Sequence, residues 1–198
     1  MKGYLAKKYP SRNRMHAVFL CILVASGCSY EGDYYSDPIN PRAIRYTTDG
    51  NDAAGAIIDG EKWKSVVHIS GFRGCEDCPW IIYFESADSL VIQFSGSMVG
   101  SGEYAEISYS FKGLDFKNRK YQRLLGKKIA LDGVTAKATL SIWGSCPSEY
   151  ISTTGQFYLR QEDPLSGTFW CSVNNDCGSR EITYGRFDYE NLEYQTIP

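Results

Sequence analysis

Residues 103–113, EYAEISYSFKG, place Ala105, Ile107, Tyr109 and Phe111 at every second position, with Tyr104, Glu106, Ser108 and Ser110 between them. A hydrophobic period of two predicts a strand with one buried face. The same signal recurs along most of the chain. In AIIDGEKWKSVV (56–67) two apolar runs flank Asp59-Gly60, a pair suited to the positive φ angles of a tight hairpin turn. WIIYFES (80–86) and SLVIQFSG (89–96) predict a second hairpin across Ala87-Asp88, and KKIALDGVTAKATLSIW (127–143) turns at Asp132-Gly133 before a long strand. GQFYLRQ, GTFWCSV and REITYGRFDY supply the last three strands. Only the segment near 116–126 is spaced as a short helix, with Tyr121, Leu124 and Leu125 on one face and Gly126 to end it. The expected fold is all-β: an antiparallel β-sandwich or partly closed β-barrel of about ten short strands. Most strands are shorter than the ~9–11 residues of a membrane-spanning barrel strand, so that architecture is set aside.

The first 52 residues lack this alternation. MKGYLAKKYPSRNR carries five positive charges and no acid, and the apolar run MHAVFLCILVASG that follows is too short to span a bilayer of ~30 Å. A basic start, a short apolar segment and small residues before a cut predict a secretory signal peptide over residues 1–27. Ala25-Ser26-Gly27-Cys28, with Leu23 and Val24 upstream, resembles the lipobox of bacterial lipoproteins, although Ala25 stands where Leu is most frequent. The resemblance implies cleavage before Cys28 and lipidation of its thiol, with an acylated amino group. Two or three acyl chains hold a protein on a bilayer stably, whereas one gives marginal binding. Ser29, in place of an Asp that favours inner-membrane retention, is compatible with the outer membrane. Residues 28–52 are polar and carry Pro38 and Pro41, so they predict a flexible tether, with residues 53–198 as one β-rich domain.

Composition narrows the functional classes. The whole chain has a net charge of −2, and loss of residues 1–27 removes five basic residues and no acid, leaving about −7. There is no basic footprint for nucleic acid. Five cysteines follow Cys28: Cys75, Cys78, Cys146, Cys171 and Cys177. In an exported protein they are disulfide candidates, and an odd number leaves one over. Cys171 and Cys177 flank SVNND and could pair across a hairpin; Cys75 and Cys78 form CEDC in a loop bounded by Gly74 and Pro79. Zinc held by Cys75, Cys78 and two later thiols is a weaker alternative, because the second spacing is loose and export favours oxidation. No metal site is assigned.

Candidate catalytic groups do not form a recognisable set. His68 is the single histidine after residue 27 and sits within a strand pattern, with no nucleophile motif beside it. Carboxylates are plentiful, but a glycosidase pair is defined by its separation in space. No cofactor motif is present. The many Tyr and four Trp are what β-sheets favour, so Trp63, Trp143 and Trp170 are expected in the core. Ile58-Asp59-Gly60 with Trp63, Ser166-Gly167-Thr168-Phe169, and Ile182-Thr183-Tyr184-Gly185-Arg186-Phe187-Asp188 resemble a family of small exported bacterial lipoproteins of unknown function. That resemblance implies fold-forming residues and transfers no catalytic ones. The expected function is a lipid-anchored cell-envelope protein that binds or scaffolds, with the membrane as one partner and a glycan or protein ligand as another. A small hydrolase acting on glycan and a subunit of a surface assembly are the alternatives.

Overall fold

The computed structural model describes residues 29–31, 36–70, 74–116, 120–144 and 147–198. The expected signal peptide over 1–27, the lipidation candidate Cys28, and Cys146 lie outside them. Fourteen strands occur among the described residues. They are β1 (Ser29–Glu31), β2 (Ala53–Ile58), β3 (Glu61–Val66), β4 (His68–Ser70), β5 (Gly74–Glu76), β6 (Trp80–Phe84) and β7 (Ser89–Met98), followed by β8 (Tyr104–Lys112), β9 (Lys128–Ala130), β10 (Ala136–Ile142), β11 (Tyr150–Glu162), β12 (Leu165–Asn175), β13 (Gly178–Tyr189) and β14 (Glu193–Ile197).

The chain is all-β, and its pairing is that of an up-and-down barrel. Strands β2, β3, β7, β8, β10, β11, β12 and β13 are neighbours in chain order, each antiparallel to the next, and β13 returns to β2. Two seams are short: β3 meets β7 only at Trp63–Met98 and Lys64–Ser97, and β10 meets β11 only at Thr139–Ile151 and Leu140–Tyr150. The rest of β7 pairs with β6, which carries β14 in parallel, and the rest of β11 pairs with β9. β1, β4 and β5 form a separate three-stranded sheet.

The alternation read in the sequence is the inside–outside alternation of this wall. Ala105, Ile107, Tyr109 and Phe111 point inward and are fully buried. Rings fill the interior: Phe94 lies 5.1 Å from Phe187, Tyr109 4.8 Å from Phe157, and Phe157 5.5 Å from Phe187. Eight-stranded barrels are just wide enough for side chains to fill, and here aromatic side chains do so. Trp63 is fully buried, as expected, and its Nε1 donates to the Ala105 carbonyl at 3.1 Å.

Asp59 and Gly60 both take positive φ (49° and 84°), which makes the β2–β3 hairpin turn the predicted one. Of the helix expected near 116–126, the described residues show Phe116 as α-helical and Lys120–Arg123 as a 3-10 turn, η1, while residues 117–119 lie outside the described set. Leu125 bridges Leu159 and the Gly126 amide donates to the Leu159 carbonyl at 2.8 Å, so the backbone is committed to β11 before a helix can extend.

The expected flexible tether does not extend through 36–52. From Ser36 the chain lies on the outside of β2 and β13 as an arm, with Ala43 and Ile44 buried. Gly55 makes this packing possible, since a Cβ there would sit 2.1 Å from the Ile44 Cγ2. Arg186 donates to the Asp37 carboxylate and, at 2.9 Å, to the Ile44 carbonyl. Asp188, 2 % exposed, accepts from the Thr47 hydroxyl and from the amides of Asp49 (3.1 Å) and Gly50 (3.0 Å). The Arg186 and Asp188 side chains within ITYGRFD are thus fasteners of the arm.

The cysteines correct one expectation and agree with another. Cys75 and Cys78 form a disulfide, which removes them as zinc ligands. Cys171 does not pair with Cys177: it is a buried free thiol, and Cys177 is bonded in a different disulfide. The turn lies at Asp176-Cys177, between the Asn175–Gly178 pair, and Cys171 sits opposite Ile182. Four residues of strand, ~14 Å, separate Cys171 from the hairpin end, beyond the ~7 Å between α-carbons that a bridge tolerates.

Candidate functional site: the outer face of β6, β7, β8 and β10

Because the interior is full, any site on the barrel lies outside it. A groove of about 410 Å³ runs over the outer face of β7, β8 and β10. Its floor follows from strand alternation. With the even-numbered residues of β8 and the odd-numbered residues of β7 and β10 directed outward, register sets them in rows. Trp143, Tyr104, Ser97 and Lys64 form the end row of this face; next come Ser141, Glu106 and Ser95, and then Thr139, Ser108 and Gln93. Lys137, Ser110 and Val91 complete the fourth row. Trp80 on β6 extends the third row, opposite Gln93. Small hydroxyl side chains make the floor low, and larger side chains rise at its rim.

Two of the three expected core tryptophans are therefore on the surface. Trp143 is 68 % exposed and packs edge-on to Tyr104, with ring centroids 5.4 Å apart; Trp170 is 44 % exposed on the outer face of β12. The signal was present in the sequence. Trp143 has the parity of Thr139 and Ser141, and Trp170 that of Thr168 and Ser172, which are the outward positions of their strands. Trp80, 37 % exposed, lies on the same outer face, opposite Gln93.

The polar groups of the floor are a connected set. Ser108 Oγ and Thr139 Oγ1 are 2.6 Å apart. Glu106 is half-buried, and burial raises its carboxyl above the usual carboxylate range; the charge of Glu149 adds to the rise, and a hydrogen bond with Gln93 opposes it. Lys137 and Lys112 lie toward the opposite end. One end of the groove thus carries Glu106 and the other Lys137 and Lys112.

Two further grooves lie elsewhere on the described surface. Beside the arm, Arg160 is already engaged by Tyr46, donating to its hydroxyl at 3.0 Å with the guanidinium 5.3 Å from its ring centroid. The other lies among Glu162, Asp163, Tyr189, Glu190 and Tyr194. His68 is exposed on β4, away from the groove residues. No group of three metal-ligating side chains converges among the described residues.

No family model, no curated protein and no solved structure matches the chain. Fold and site together define a class by geometry alone: an eight-stranded up-and-down barrel with a ring-filled interior and a polar groove on its wall.

Proposed function

We propose that this chain is a lipid-anchored protein of the bacterial cell envelope, attached through Cys28, whose barrel is a non-enzymatic module that binds a glycan in the groove on its outer wall. The observation that carries the reading is a groove lined by hydroxyl and amide side chains, Ser108, Thr139 and Gln93, on an outer face that also exposes Trp80, opposite Gln93, and the Trp143–Tyr104 ring pair, on a barrel whose interior is packed. Flat rings stack on the apolar faces of sugar rings, and Ser, Thr, Gln and Glu meet the sugar hydroxyls. The Cys75–Cys78 disulfide suits an oxidising compartment outside the cytosol.

Glycan-array screening followed by calorimetry tests this. Trp143→Ala and Trp80→Ala are expected each to weaken binding at least about tenfold, ~1.4 kcal/mol, with little change in melting temperature, because both rings are exposed. A wild-type protein that binds no glycan, or tryptophan variants that bind as well as wild type, would overturn the reading. One observation favours a hydrolase as the second reading: Glu106, with its raised carboxyl, lies near Glu149. Release of sugar products by wild type and not by Glu106→Gln would establish that alternative.

A further inference from the structure

We propose that the pocket between the arm and β11 is a second binding site, and that it takes an oxyanion, the phosphate group of a small phosphorylated molecule, between the guanidinium groups of Arg45 and Arg160. The site uses none of the residues of the groove over β7, β8 and β10, so it does not depend on the glycan reading.

The pocket is built by docking of the arm on the barrel. It has a volume of about 510 Å³, within the range of small-molecule sites. Arg45, Tyr46, Thr47 and Asp49 form one side, and Arg160, 114 residues from Tyr46, forms the other. Arg160 falls at a register shift in the β11–β12 pairing, between Leu159 and Gln161. Irregularities of this kind re-aim a side chain. Here the guanidinium reaches the arm, where it donates to the Tyr46 hydroxyl at 3.0 Å and lies 5.3 Å from the ring centroid. A guanidinium has five N–H donors, so the contact with Tyr46 sets its position and leaves donors for a ligand. Arg186 also approaches the Tyr46 ring, at 5.9 Å, but its charge is taken by Asp37. Among the described residues, neither Arg45 nor Arg160 is in an ion pair. Asp49 lines the pocket too, so the balance is two cations to one anion among the described residues, in a chain whose net charge is −2.

A second observation comes from the wall behind the arm. Ser166 pairs with Asp188 on β13 and with Gln161, the residue after Arg160, on β11. Cross-strand partners share a face, so Ser166 lies on the outer face, in the row that joins the two sides of the pocket. It is fully buried, and its hydroxyl has no hydrogen-bond partner among the described residues. Buried hydroxyls are nearly always paired, so this row has hydrogen-bonding capacity left for a further polar group. The Asp188 carboxylate beside it is already enclosed by the Thr47 hydroxyl and the amides of Asp49, Gly50 and Asn51. Phosphate suits two guanidinium groups better than a carboxylate does. Its oxygens match the planar fork of each arginine, and a phosphate monoester carries about −1.5 to −2 charge at neutral pH, enough for both.

Calorimetric titration of the full chain with inorganic phosphate, glucose-6-phosphate and glucose separates free phosphate, its ester and the neutral sugar. The ester is expected to bind at least about tenfold more tightly than glucose. Arg45→Gln and Arg160→Gln should each weaken the ester at least about tenfold, and Arg160→Lys, which keeps the charge and loses the fork, should weaken it less. Trp143→Ala should leave it unchanged. Arg45 is exposed and in no ion pair among the described residues, so Arg45→Gln should melt with wild type and keep the comparison readable. Raising ionic strength should weaken the ester on wild-type protein, a readout that needs no variant. Failure of both inorganic phosphate and the ester to bind, or equal binding by both Gln variants and wild type, would overturn the site. Binding of inorganic phosphate with rejection of the ester would overturn the assignment to a phosphorylated molecule. None of these outcomes bears on glycan binding at the groove.

Discussion

Cys171 lies inside the barrel with no accessible surface, and burial pushes its thiol up to about 12. The Tyr109 hydroxyl is its polar neighbour, itself fully buried. Reaction with electrophiles requires the thiolate, so this cysteine should be inert at neutral pH despite being unpaired. The expected outcome is that a thiol reagent leaves Cys171 unmodified in native protein and modifies it once denaturant unfolds the barrel, with the position read by peptide mass spectrometry. Labelling of Cys171 without denaturant would show that the wall opens at β12. The tryptophans carry the complementary lesson. Residue type alone assigns Trp143 and Trp170 to the core, whereas strand parity assigns them outward, and parity is obeyed because one face of each strand is already filled by rings.

Among the elements, the arm over residues 36–52 was the least legible. It carries little hydrophobic period, and what holds it are contacts with β13, more than 130 residues away. Arg186 holds the Asp37 carboxyl well below its ordinary value of 3.8, at about 2, with the Asn40 and Ile39 amides assisting. A carboxyl lowered on folding stabilises the folded state above its ordinary value, and that contribution fades as pH falls toward the folded one. The arm's fastening should therefore be complete above about pH 4 and be lost progressively down to about pH 2. Urea unfolding of wild type and Asp37→Asn across this window checks it: wild type should be the more stable at neutral pH, and the gap should close on acidification. A constant gap would mean that the contact contributes nothing through its charge. The β2–β3 hairpin is the contrasting case, since Asp59 and Gly60 determine their own turn and the structure bears them out.

For the whole molecule, the proposed envelope location depends on one residue outside the described set. A Cys28→Ala chain should remain an unprocessed precursor or leave the membrane fraction, and fractionation with mass analysis of the terminus distinguishes these from wild type. A processed variant that stays membrane-bound would count against attachment through Cys28. Because the barrel interior is solid, a ligand is expected to act on the outer wall, and its binding should leave the interior ring packing undisturbed.

Alternation and turn chemistry were readable from the sequence because each depends on neighbours only a few residues away. They were enough for an all-β chain, for the Asp-Gly turn, and for the polar outward face of β8 on which Glu106 lies. Which strand lies beside which was decided only in the tertiary structure. Closure of β13 onto β2, the row that sets Trp80 opposite Gln93, the stranding of Cys171 away from Cys177, and the arm's grip on Arg186 all rest on register between distant segments. A period of two specifies which face of a strand is buried, but any apolar face can pack on any other. Total packing of the ring-filled core selects one arrangement, and the groove is what that arrangement leaves outside.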